Sequence, residues 1–109
     1  VKLQGNYVLN EINSEDISSE RIVLKFDTIQ NTVTGNAGCN RFTSTFALSE
    51  EKIKFSDPVS TKMFCEGKML MEQKVINILP SISDVEKIKE QFVFYSANNE
   101  RVLTIQKQD

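Results

Sequence analysis

Residues 34–42 read TGNAGCNRF, from Thr34 through Gly35, Asn36, Ala37, Gly38, Cys39, Asn40 and Arg41 to Phe42. Two glycines, two asparagines and one of the chain's two cysteines fall within this stretch. It is either a reactive loop around a thiol or a tight turn held by a bond. Its flanks set the context. Upstream, Ile22, Leu24 and Phe26 lie on one face of Arg21–Phe26, the two-residue period of a half-buried strand. A turn at Gln30-Asn31 returns through Thr32-Val33-Thr34. Downstream, Phe46 and Leu48 share a face of Thr43–Leu48. Gly35 and Gly38 are read as allowing a tight bend. Asn40 is read as bonding nearby backbone or adopting positive φ, and Phe42 as entering the core.

The same alternation extends along the chain. Leu3–Ile12 reads as an opening strand, followed by a polar loop to about Glu20. Lys52-Ile53-Lys54-Phe55 alternates with its lysines outward. After Cys65 the period changes: Met71, Val75, Ile78 and Leu79 form the stripe of an amphipathic helix between Lys68 and Leu79, closed by Pro80. On that stripe Glu72 and Lys74 point away from the core. Met63, Met69 and Met71 read as gap-filling side chains rather than a copper site. Val85–Ile88 is a weak strand, and Phe92–Ala97 and Arg101–Gln106 are stronger ones, with Asn98-Asn99 as a hairpin turn. The expected class is α+β: a strongly twisted antiparallel sheet or partial barrel of seven to eight strands, with one helix packed against it.

Composition removes several functions. The chain has 109 residues, one domain's length, and acidic and basic residues are interspersed to a net charge of −2. No basic block exists to displace phosphate counterions, so nucleic acid is not expected as a partner. Histidine is absent, which removes imidazole-based triads, dyads and zinc sites. Two cysteines are too few for an all-thiolate zinc site. No cofactor or metal is expected. The paired carboxylates Glu50-Glu51 and Glu86/Glu90 read as solvated faces rather than an acid–base pair. No apolar run reaches membrane-spanning length. The chain opens at Val1 rather than Met, and is read as the mature or C-terminal part of a longer precursor, with a possible lipid anchor upstream.

Cys39 and Cys65 read as a disulfide, because an even count leaves no thiol over. Closing so long a loop is worth about 3–4 kcal/mol in the chain-entropy model, and the bond belongs to an oxidising compartment. Two alternatives stand beside it. One is a pair of free buried thiols. The other is redox or nucleophilic chemistry, with Asn36–Asn40 N–H groups facing an oxyanion and Arg41 depressing the thiol pKa. The nucleophile lacks a base.

The order Gly35, Gly38-Cys39-Asn40-Arg41-Phe42, then Thr61-Lys62-Met63-Phe64-Cys65, resembles the META domain, also called the HslJ-like heat-shock domain. Its motif residues are matched by Gly35, Gly38, Cys39, Asn40, Phe42, Thr61, Met63 and Cys65. The likeness spans the chain: Tyr7 stands where the family usually has Trp, Ser44 where glycine is common, Phe64 where a smaller residue is usual, and Glu72 matches a helix glutamate. The resemblance implies a small β-rich domain with one helix, in a bacterial secreted protein or envelope lipoprotein. Members are associated with heat induction and novobiocin resistance, and no defined catalytic activity comes with the family.

These readings lead to a non-enzymatic domain of the periplasm, cell envelope or secreted space. It is expected to be a monomer that contacts an envelope component and supports stress or antibiotic tolerance. Arg41 and Lys62 are its candidate interaction surface. The alternative is a carrier of a small hydrophobic ligand or lipid between sheet and helix, lined by Phe42, Phe46, Phe55 and Met71.

Overall fold

Strand β5 (Arg41–Ser49) shows why the chain becomes a sheet with one dry face. Phe42, Ser44 and Phe46 are buried, while Arg41, Thr43, Thr45 and Ala47 alternate with them in solvent. In the computed structural model, which describes residues 2–108, the remaining strands are β1 (Gly5–Ile12), β2 (Glu15–Asp16), β3 (Val23–Asp27), β4 (Thr32–Asn36), β6 (Lys52–Phe55), β7 (Val59–Ser60), β8 (Ile82–Ile88), β9 (Gln91–Ser96) and β10 (Arg101–Lys107). Of these, β6 repeats the alternation, whereas β9 and β10 bury runs of three and four consecutive residues. Helix α1 (Met69–Ile78) and a 3-10 turn at Leu79–Ser81 lie between β7 and β8.

All pairings are antiparallel, and the order β10-β9-β8-β6-β5-β4-β3-β1 is closed by β1 pairing with β10. Eight strands therefore make a barrel, with the two short strands added to β1 and β5. The expected partial barrel is thus closed. The closing contact joins Tyr7 to Lys107 and Ile12 to Leu103, a pairing 91–100 residues apart that no local pattern reveals. The weakest seam is β6–β8, where the register holds only Lys52 opposite Asp84 and Val85 N–H donates to the Glu51 carbonyl. In sequence, β6 and β8 are separated by the crossover containing α1.

The barrel interior holds aromatic rings in edge or tilted contact. Phe92, Tyr7, Phe26, Phe46, Phe55 and Phe94 form a connected set with centroids 5.5–6.3 Å apart. Each such pair adds ~0.5–1.5 kcal/mol beyond area burial. Phe42 is also fully buried, and Met71 packs against the core from α1. Ser44, flanked inward by Phe42 and Phe46, buries its hydroxyl by donating to the Ser56 carbonyl at 2.7 Å. No helix among the described residues is long and apolar enough to cross a membrane.

Candidate functional site

The turn between β4 and β5 is built by local side-chain bonding. Asn36 Oδ1 accepts the Gly38 N–H at 2.7 Å, a short cap that mimics a backbone turn. Gly38 sits at φ +116°, a conformation that suits glycine. Gly35 does not belong to the bend. It lies in β4 opposite Leu24 and Phe42, and a Cβ there would come within 2.7 Å of Phe42 Cζ and 2.8 Å of Leu24 Cδ2. Its role is to leave room for core side chains.

Cys39 and Cys65 form a disulfide, with Cα atoms 5.7 Å apart and a sequence separation of 26. The bond ties the β4–β5 turn to the segment 61–68 that leads into α1. Beside it Asn40, only 2% exposed, holds the same segment without covalent help. Its Oδ1 accepts the Met63 N–H at 2.7 Å and the Thr61 hydroxyl at 2.8 Å. Its Nδ2 donates to the Met63 carbonyl at 3.0 Å and to Glu72 Oε2 at 2.8 Å. The carboxamide thus grips Met63 by both peptide groups, as a neighbouring strand would. Asn40 reaches across 23 residues rather than bonding nearby backbone, and it is not among the residues at positive φ.

Glu72 completes the cluster. It is 4% exposed, and Oε1 accepts the Asn40 backbone N–H at 2.6 Å while Oε2 takes the side-chain amide. The helical stripe left it outside the core face, and the structure turns it inward. Periodicity missed it because a carboxylate scores as surface, although a buried charge is tolerated when donors surround it. Its match to the family's helix glutamate was the one signal in the sequence.

This arrangement answers the nucleophile reading. Gly38 N–H is taken by Asn36 and Asn40 N–H by Glu72, so neither faces an oxyanion. The Cys39 sulfur is bonded to Cys65. Arg41 and Lys62 are both exposed, and Thr61, the neighbour of Lys62, donates its N–H to the Arg41 carbonyl at 3.2 Å. After Lys62 the chain holds apolar side chains in solvent. Phe64 is 79% exposed, Leu70 83% and Met63 57%. Sequence reasoning had no cue for these, since Met63 and Phe64 sit within a motif and Leu70 within an apolar run.

Groups with displaced pKa values lie elsewhere. Asp84 is held below the usual carboxylate value by its hydrogen bonds from Lys52 and then Ser83. Asp16 is lowered by the Ser18 backbone and hydroxyl donors. Tyr95 is raised, first by donating its hydroxyl hydrogen to Glu86 at 2.9 Å. None of these is a member of the cluster around Asn40.

Two solved structures share the fold. One, described as an NMR structure of the protein from Burkholderia xenovorans, is 21% identical with a TM-score of 0.71, over 97% of this chain and 83% of that one. Another, described as an NMR structure of the protein, is 21% identical with a TM-score of 0.70, over 95% of this chain and 90% of that one. No curated protein matches the chain. The sequence model of the META domain matches residues 1–109, and the chain belongs to the META domain family.

Proposed function

We propose that this META domain is a non-enzymatic module of the cell envelope or secreted space that docks an envelope protein through the surface around its disulfide. The observation that carries the reading is the exposure of Phe64 on a segment held by a disulfide and the Asn40 network, with Leu70 exposed in the first turn of the helix that follows. Exposed large apolar side chains on ordered backbone are characteristic of contact surfaces. Arg41, Lys62 and Lys68 accompany them, against Glu66, so the partner surface is acidic around an apolar centre. A role in stress or antibiotic tolerance belongs to the same proposal, as the output of that contact. The buried carboxylate of Glu72 supports a structural assignment, because both of its oxygens are occupied by Asn40 donors.

A carrier with its ligand between sheet and helix has less support. Phe42, Phe46 and Phe55, which would line that cavity, are 0–5% exposed, and Phe46 and Phe55 belong to the packed aromatic set.

The test is crosslinking from a photoreactive residue at position 64 in the native host, followed by identification of the captured protein. The same protein should be lost from the Leu70→Ser variant and from the Arg41→Glu/Lys62→Glu pair, each carrying the same photoreactive residue at position 64, with the fold unchanged. Capture that survives both changes would sink the proposal.

A further inference from the structure

The barrel's other mouth carries a concave feature. Successive antiparallel strands run in opposite directions, so β4 ends and β5 begins at the disulfide's mouth, whereas β8 and β10 end and β9 begins at the opposite one. There a recess of about 360 Å³ is lined by Lys2, Lys87, Lys89 and Lys107, with Glu90 as its acid. Tyr7 and Phe92 form its base.

Concentrating four ammonium groups in one recess is notable in a chain with 15 acidic and 13 basic residues. None of the four forms an ion pair with another described residue. Lys107 stands opposite Tyr7 in the β1–β10 register, and its Nζ lies 4.9 Å from the Tyr7 ring centroid while donating to the Gln4 carbonyl. An ammonium has three donors, so two remain for a ligand. Lys87 stands opposite Phe92, with Nζ 6.0 Å from that ring. The rings are 3% and 4% exposed and meet edge to face at 5.6 Å. They form a rigid floor and offer little face for stacking. What the recess presents is therefore charge, held over an apolar base where screening is weaker than in open water.

We propose that this mouth binds a small, multiply charged anion bearing two or more phosphate or carboxylate groups. One charge would leave most of the lysines unpaired, and the covered rings give no platform for a flat aromatic body. The site is independent of the docking surface at the opposite mouth, so either can fail alone.

Inorganic pyrophosphate, and separately citrate, are titrated at constant ionic strength into isotope-labelled protein and followed by amide chemical shifts. Saturable changes are expected at Tyr7, Lys87, Lys89 and Lys107, with a Kd below about 1 mM for at least one of the two anions. The Lys87→Gln/Lys89→Gln variant alters two exposed residues and should keep the native spectrum. Its affinity should fall at least ~10-fold, as expected for losing charge-assisted hydrogen bonds. Shifts that never saturate, or that reach Lys54 and Lys62 equally, would overturn the proposal. So would binding to phosphatidylglycerol vesicles with no response to either free anion, which would make this mouth a membrane contact.

Discussion

Asn40 uses all four hydrogen-bonding positions of its carboxamide, and its backbone N–H goes to the same carboxylate that takes its side chain. Replacing one Glu72 oxygen with an amide nitrogen sets donor against donor in a buried site. Glu72→Gln should therefore cost ~1–3 kcal/mol, read as a lower urea midpoint. An unchanged midpoint would show that the carboxylate is not what the cluster requires. Gly35 raises a different issue, that of space. Gly35→Ala pushes a methyl group against Phe42 and Leu24, both fully buried, and should cost ~1–3 kcal/mol by overpacking. A neutral result would mean that the β4 backbone shifts freely, contrary to its pairing on both sides. The motif was readable as a pinned turn, but the two glycines look identical in sequence. Only their neighbours separate a backbone requirement at Gly38 from a volume requirement at Gly35.

At the scale of elements, segment 61–68 is fastened twice. The disulfide links positions separated by 26 in sequence, which limits the unfolded chain by about 3–4 kcal/mol. The Asn40–Met63 pair acts in the folded state and does not involve the sulfur atoms. Dithiothreitol should therefore lower the urea midpoint strongly while leaving a native-like amide spectrum in the absence of denaturant. Collapse of that spectrum on reduction would show that the polar network cannot hold the segment by itself. Helix α1 has only ten residues and no side-chain N-cap bond, so in isolation it would be marginal. Val75, Leu79 and Glu72 anchor it to the barrel, and Glu72 sits in the first turn, where the helix dipole favours an acid. The helix was legible from its apolar stripe. The two-residue strands β2 and β7 were not, because segments that short carry no period.

For the whole molecule, the seam between β6 and β8 is the place where the barrel is thinnest. In native-state hydrogen exchange the Val85 amide, bonded across this seam, should exchange by local opening before the amides of Leu24 and Phe26 in β3. Equal protection would mean that the barrel opens only as a unit. The same seam carries Lys52 and Asp84, whose carboxyl is held below its ordinary value by that partner and by Ser83. A carboxylate lowered on folding stabilises the fold above its ordinary pKa, and the contribution disappears as pH falls through the folded value. Lys52→Met should therefore reduce stability more near about pH 6 than near about pH 2. The effect should be small, because Lys52 is largely exposed. An equal reduction at both pH values would assign it to lost packing instead.

Alternation, turn residues and one helical stripe gave, from sequence alone, seven to eight strands in chain order and α1, with the strand at Val85–Ile88 the weakest of them. The paired cysteines and their spacing pointed to the staple and to the family. Such features are legible because each depends on residues near one another in the chain, or on a count. Closure of the sheet by β1 and β10, the inward turn of Glu72 and the gathering of four lysines at one mouth were decided only by tertiary structure. Each of these joins residues far apart in sequence. A local period records whether a side chain is apolar, but not which distant partner makes burying a charge, or crowding several, tolerable.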